Sequence, residues 1–494
     1  MRAFLFLILF TASSFAQSGF QRFISYVNSI SDISVKSAKI DSFMLAHQST
    51  GFPVIEGDTA NFIYRGSASA VSVAGDFNGW SSSASVMNKL TSTNFFYYSR
   101  KFELNARLDY KFVTNGSNWI LDPLNPRICS GGFGPNSELA MPLYVQPQEI
   151  VYNSAIPHGT IITRSITSTF TSSAFQLKIY LPPGYDSLST KRYPSVYFQD
   201  GYEYIDLASS VNVLDNLIAA GAIEPVIGVF VKPNNRNEEY AGATRNAYKN
   251  FFVNELAPLI DALYKTAASP DRRLVLGDSY GGNISAYIVY YHPDVFGNCG
   301  IHSGAFQPNG YEVYNLFINN PALNVKFVSI WGTYESLFTN MRNFRDNLTN
   351  KGYYFKWMEL PEGHSWGLWR ATLDYILINI FPAVTDVNEN RKEKDQSDII
   401  LQNYPNPFMA STQIRYQISG SRNQRAECRV LLKVYDVLGN EVATLADGNK
   451  LPGMYESTFP DTRTGQALSL RSGVYFISLT FDEQRITKPI LLIR

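Results

Sequence analysis

Cysteine is scarce in this chain of 494 residues, with Cys129, Cys299 and Cys428 lying far apart. An odd count excludes a complete disulfide framework, and no Cys/His pair has the close spacing of a zinc site. All three read as small buried hydrophobes. Net charge is missing as well: 42 Lys and Arg balance 42 Asp and Glu. That balance gives no sign of a nucleic-acid partner or of an electrostatically bound membrane surface. Histidine is rare, with five residues, so a search for a base can proceed by elimination. Beyond the first residues there is no apolar run long enough for a transmembrane helix.

What is present divides into segments. Length alone suggests roughly three domains. The content of 45% hydrophobic and 17% charged residues is that of a globular protein, and 14% aromatics leans towards β-rich extracellular proteins. MRAFLFLILFTASSFAQS carries one basic residue, Arg2, then an apolar stretch and a small-residue site at Ser14-Phe15-Ala16. This predicts an export signal over residues 1–16 and a mature chain outside the cytoplasm without a transmembrane segment. Residues 17–57 read as helical. Over residues 58–145, TANFIYRG, AVSVAGDF, FFYYSRKFEL and RLDYKFVT alternate between turn residues, as in a small β-sandwich. Residues 146–382 alternate strand-like runs (PSVYFQD, PVIGVFVKP, RRLVLGD, VKFVSIWG) with helix-like ones (NFFVNELAPLIDALYK, NISAYIVYYH). Such alternation predicts an α/β domain whose mostly parallel sheet is covered on both faces. Residues 383–399 are charged and lack aromatics, like a linker. Residues 400–494 return to a β pattern.

Gly277-Asp278-Ser279-Tyr280-Gly281 fits G-x-S-x-G between a strand and a helix. That context suits a nucleophile elbow, with the Ser279 hydroxyl raised on a tight turn and the Tyr280 N–H facing a developing oxyanion. A serine needs a base. His47 lies in the N-terminal segment, His158 at the start of the central domain and His292 at a helix end. His364, on the loop after a late strand in ELPEGHSWGLWR, fits the order Ser, acid, His of α/β-hydrolases; His302, in GIHSGAF, is the runner-up. The acid then falls to Glu335, just past the strand VKFVSIW, where it would fix the imidazole tautomer. Read by itself, Glu335 also suits a surface carboxylate. Glu362 neighbours His364 but is poorly placed to reach its far ring nitrogen. In SVYFQDGYEY, Gly201 lets the backbone approach substrate and the Tyr202 N–H supplies a second oxyanion donor; a simple turn explains Asp-Gly equally well.

Taken together, YLPPGYD, FQDGYEY, NRNEEY, GDSYGG and EGHSWGLWR resemble the esterase D group of α/β-hydrolases, which holds enterochelin esterases and carbohydrate esterase family 1 feruloyl and acetylxylan esterases. The resemblance implies Ser279 as nucleophile, His364 as base and Glu335 as acid, although the family often has Asp there. It also places Arg236 and Tyr240 near the substrate cleft, and Trp366 and Trp369 against the His364 loop. It implies no metal or cofactor. AVSVAGDFNGW with RLDYKFVTNGSNWILDPLNP resembles the glycogen-binding-like E-set domain that precedes some of these esterases. Trp80 and Trp119 suggest sugar stacking, but the likeness implies that the FNGW tryptophan packs internally, so a wall beside the cleft, built partly by residues 131–142, is the favoured reading. LQNYPNPFMASTQIRYQI, LKVYDVLGNEVATL and SGVYFISL resemble the C-terminal sorting domain of type IX secretion, which implies that machinery as a partner and a cell-surface or secreted location. The implied substrates are feruloyl or acetyl esters on polysaccharide, or alternatively siderophore lactones. An acyltransferase on the same fold and a non-catalytic carbohydrate-binding protein are the other readings.

Overall fold

The computed structural model describes residues 18–383 and, apart from short gaps at 405–407, 409–410, 419–427, 438, 452, 461–469, 471–472 and 482–483, residues 401–492. The expected export signal and, except for Ala383, the expected linker lie outside the described residues. Two compact units divide near Val384.

The first unit begins with two helices, Gly19–Ser29 and Ile33–His47. Each starts where a side chain takes up otherwise unpaired amides: Ser18 accepts from Gln21 N–H, and Asp32 from Ser34 and Val35 N–H. Both helices lean on the sheet that comes next in the chain. Phe20, Ile24, Val27 and Ile40 pack with Ile63 and Phe95 on one face of this antiparallel sheet. It begins at Val54, ahead of the expected boundary at residue 58, because Val54–Glu56 pairs with Thr59–Arg65. Its other face brings Ala60, Phe62 and Phe96 against Val71, Val73, Leu108, Tyr110 and Phe112 of a second antiparallel sheet, completing a sandwich. Both faces are covered, so Ala60, Asn61, Phe62 and Ile63 are buried in succession.

The central domain carries an eight-stranded sheet: β1 (Thr160–Thr167), β2 (Ala174–Leu181), β3 (Ser195–Phe198), β4 (Ile227–Lys232), β5 (Arg273–Asp278), β6 (Asn298–His302), β7 (Lys326–Gly332) and β8 (Tyr354–Leu360). Their order is β1-β2-β4-β3-β5-β6-β7-β8. β1 and β2 run antiparallel to their neighbours, and β3 to β8 are parallel. Alternate residues feed two cores. Tyr197 and Val275 face the helix Tyr280–Tyr291, whereas Val196, Phe198, Leu274 and Leu276 face the helices Ser210–Ala219 and Trp366–Ile380. This is an α/β-hydrolase sheet. Its parallel strands deliver the loops after β3, β5, β7 and β8 to one edge, where ligands of such sheets bind.

The second unit has two antiparallel sheets, one of Leu401–Tyr404, Thr412–Ile418 and Gly453–Phe459, the other of Glu441–Lys450, Cys428–Tyr435, Gly473–Phe481 and Gln484–Leu492. They share a core of Ile414, Tyr416, Val430, Leu432, Val434, Ile477 and Leu479. Cys129 and Cys299 are buried free thiols. No helix among the described residues is long and apolar enough to cross a membrane.

Candidate active site

Ser279 stands between β5 and the helix Tyr280–Tyr291 with φ 53° and ψ −118°. A non-glycine residue there costs on the order of 1–3 kcal/mol and must be held by its surroundings. Its N–H donates to the His302 carbonyl at 2.9 Å, and its carbonyl accepts from Gly282, Asn283 and Ala305 N–H at 3.1, 3.2 and 3.0 Å. The flanking glycines are required by proximity. A Cβ on Gly277 would lie 2.5 Å from the Gly281 carbonyl carbon, and one on Gly282 3.0 Å from Ile301. Tyr280 N–H occupies the first helical position, where no carbonyl of the helix can reach it.

Next to the turn, two buried carboxylates share a half-buried guanidinium. Arg236 Nε donates to both Asp200 oxygens at 2.9 Å, and its Nη2 reaches the Asp278 carbonyl at 3.2 Å and carboxylate at 3.3 Å. Burial, with Asp200 alongside, pushes the Asp278 carboxyl well above the usual carboxylate range, and burial also raises Asp200. Arg236 is thus tied to both acidic side chains while its own side chain stays about one-third exposed. Tyr240, expected near the substrate cleft, is 0% exposed, and its hydroxyl accepts from Asp200 N–H at 2.9 Å. Gly201 is needed for a different reason from the one expected. A Cβ there would sit 2.4 Å from the Val231 nitrogen of β4, so the close approach is to the sheet. Tyr202 follows in the first turn of the helix Gly201–Asp206, where its N–H has no intrahelical acceptor. Its ring lies under Lys178 Nζ at 4.4 Å.

The loops after β7 and β8 bring Glu335 and His364 together. His364 Nδ1 meets Glu335 Oε2 at 2.5 Å, and Glu335 Oε1 accepts from Gly332 N–H at 2.9 Å. The carboxylate is buried; the imidazole is about one-third exposed. With Nδ1 donating to the carboxylate, the Nε2 lone pair is the one left for chemistry. Trp369 stands edge-on to His364, ring centroids 5.1 Å apart, and its Nε1 donates to Ser303 Oγ at 3.1 Å. Ser303 follows His302, whose carbonyl holds Ser279, so one short segment after β6 is bonded to both the serine turn and the histidine loop.

His302, the alternative base, is fully buried between Tyr204 (2.8 Å) and Thr372 (3.3 Å), and burial depresses its pKa to about 3. It is a structural histidine. His158 pairs with Asp215 at 2.9 Å away from these loops. Glu362 points at Arg107, not at His364, and burial raises its carboxyl to about 8. Trp80 is half-buried, and its indole N–H donates to buried Asp76 at 3.0 Å. Trp119 is 43% exposed. Gly131, in the expected wall segment, lies beside Trp366.

Sequence reasoning missed Arg107. It is 0% exposed, comes from the sandwich, and donates to Ser365 Oγ beside His364 at 3.0 Å. Its signal was faint: in RLDYKF the alternation puts Leu108, Tyr110 and Phe112 inward and leaves Arg107 and Asp109 on what reads as a solvent face.

Residues 168–339 match a family model described as "Putative esterase". A stretch of 164 residues, 31% of this chain, is 30% identical to an endo-1,4-beta-xylanase/feruloyl esterase of Xylanibacter ruminicola, covering 23% of that protein. A stretch of 146 residues, 28% of this chain, is 30% identical to the uncharacterized protein YjcH of Bacillus subtilis, covering 60% of it. The chain thus spans less than two thirds of the length of these relatives. In structure it is similar to the ferric enterobactin esterase of Salmonella typhimurium, with a TM-score of 0.57 at 18% identity over 65% of this chain and 93% of that one. The central domain has the α/β-hydrolase fold, and residues 168–339 of it carry the esterase family match.

Proposed function

We propose that this protein is an exported serine carboxylesterase. The observations that support the reading are the strained Ser279 turn after β5 and the Glu335–His364 hydrogen bond between the loops after β7 and β8 of the same sheet. Ser279 Oγ attacks the ester carbonyl carbon as His364 Nε2 takes its proton. The oxyanion is held by Tyr280 and Tyr202 N–H. Collapse of that intermediate breaks the C–O bond, and the imidazolium returns its proton to the departing alcohol. Water, deprotonated by His364, then attacks the acyl-enzyme and frees the acid. Glu335 stays ionised throughout and stabilises the imidazolium. The Arg236–Asp200–Asp278 knot fixes the two oxyanion loops relative to each other.

Feruloyl or acetyl esters on polysaccharide are the leading substrates. The feruloyl esterase named among the sequence relatives supports this choice, as does the export signal read in residues 1–16, since an exported enzyme suits a substrate too large to import. A siderophore lactone is the second reading, supported by the fold shared with an enterobactin esterase. The sorting-domain pattern of residues 400–494 supports delivery to the cell surface or the medium; truncation before residue 400 should then leave the protein in the periplasm.

The deciding assay is hydrolysis of a short-chain p-nitrophenyl ester by wild type and Ser279→Ala. Turnover lost in the variant supports the nucleophile, and a panel of methyl ferulate, acetylated xylan and a catecholate trilactone then ranks the substrates. Equal activity in both removes Ser279 from the mechanism. Binding of polysaccharide without turnover by either protein favours a non-catalytic module.

A further inference from the structure

Both loops that present the Glu335–His364 pair are gripped by the sandwich. On the histidine side, Arg107 N–H donates to the Pro361 carbonyl at 3.2 Å, and Arg107 Nη1 donates to Ser365 Oγ at 3.0 Å. His364 lies between these two anchors. The fit leaves no slack. A Cβ on Gly363 would fall 2.0 Å from the Asp76 carboxyl carbon, and one on Gly367 1.9 Å from the Arg107 guanidinium. Arg107 is itself fixed by Glu138, at 2.9 and 2.7 Å, and by Asp109 at 2.7 Å. Asp76 is fixed by Asp109 N–H at 2.7 Å and by Trp80.

On the acid side the grip falls on Tyr334, the neighbour of Glu335. Its hydroxyl donates to Glu103 of the sandwich at 2.6 Å, and its ring lies 6.2 Å from that of Phe102. The two loops are also locked to each other, with Tyr334 N–H on the Glu362 carbonyl at 3.0 Å. None of this is needed merely to attach one domain to another, because the contacts concentrate on the residues flanking the pair.

We propose that the sandwich is the positioning element of the active site, with Arg107 and Glu103 as its positioning residues for His364 and Glu335. The proposal rests on the esterase reading of the site. A guanidinium suits this task because its planar fork can hold carboxylates on one side and a loop on the other with little freedom. The central domain then carries the reacting groups, while their alignment depends on the sandwich.

Ser365→Ala and Tyr334→Phe test this in the full chain. Ser365 precedes the helix Trp366–Ile380 but makes no side-chain capping bond to it, so Ser365→Ala removes the Arg107 contact and little else. Each variant should melt close to wild type while kcat on the nitrophenyl ester falls roughly ten- to a hundredfold, as expected for a misplaced base, with KM unchanged. The far-downfield proton resonance of the Glu335–His364 bond should weaken in parallel. Ser365→Thr, which keeps the hydroxyl, should restore both. Unchanged kcat and an unchanged resonance in both variants would overturn the proposal, as would a loss explained entirely by a lower melting temperature. If the wild type hydrolyses no ester, the esterase reading fails separately. The resonance, identified by its absence in Glu335→Gln, then decides alone whether the sandwich holds the pair.

Discussion

Ser279 and His364 sit at the ends of strands in one sheet, but the groups that hold them come from very different distances along the chain. The serine turn is secured by Gly277, Gly282, His302 and Ala305, with Arg236 reaching Asp278 from 42 residues away and bringing Asp200 with it. The histidine loop borrows its support from Arg107, 258 residues away from Ser365. A strained φ needs dense packing at the point of strain, and a strand–turn–helix unit can supply that locally. A loop leaving the end of β8, next to the sheet's edge, has no further strand beside it. There an added domain can replace the missing neighbour.

The comparison breaks most sharply on the pair itself. Glu335→Gln keeps the amide oxygen that accepts from Gly332 N–H but removes the charge that faces the imidazolium. Turnover should fall by about 10³–10⁴ with the fold intact, as for the equivalent change in a Ser-His-Asp triad. A kcat measurement with thermal melting checks both halves. A fall of less than tenfold would assign Glu335 a structural part only.

On the serine side, the corresponding break is Arg236→Gln, which leaves Asp200 and Asp278 buried without their cation. Breaking a buried pair from one side costs on the order of 3 kcal/mol, so the urea midpoint should drop markedly, and activity should fall with it because both oxyanion loops lose their tie. If the midpoint holds, the two carboxyls share a proton well enough to dispense with the arginine, and the serine end needs even less support from outside its own turn.

Legibility in the sequence divides along the same line. GDSYGG was readable because a turn that tight leaves glycines at fixed positions, and the acid and base came from strand order with five histidines to choose among. Tyr240 was placed near the site but not as a fully buried residue, because one-dimensional spacing cannot say whether a side chain near a site faces inward or outward. Gly363 and Gly367 were visible, yet nothing in EGHSWG says that the pressure on them comes from Asp76 and Arg107. Charged residues on the outer face of a sandwich strand read as solvated, and only the packing of one domain against the next reverses that reading.

The last expected effect concerns pH and sharpens the contrast from the histidine side. Glu362 faces Arg107, Asp109, Glu138, Tyr144 and Arg370, and its Oε2 has no hydrogen-bond partner among the described residues. Burial raises its carboxyl to about 8 and that of Asp76 to about 7. Below the ordinary carboxylate pKa both states of the chain are protonated and the contribution to stability is complete. As pH rises towards 8 the unfolded chain releases protons that the folded chain still holds, so stability declines, by up to about 1.4 kcal/mol per pH unit for each group. Above 8 the decline from these two groups ends. Glu362→Gln should flatten the slope between pH 5 and 8 in urea titrations and leave the Asp76 contribution in place (about one group's worth of slope by the same linkage). Should the slope persist at full strength, the proton is held elsewhere in the cluster. Should it vanish altogether, Glu362 and Asp76 titrate as one unit beneath the His364 loop, and ionising that unit would then disturb the base and leave the serine turn untouched.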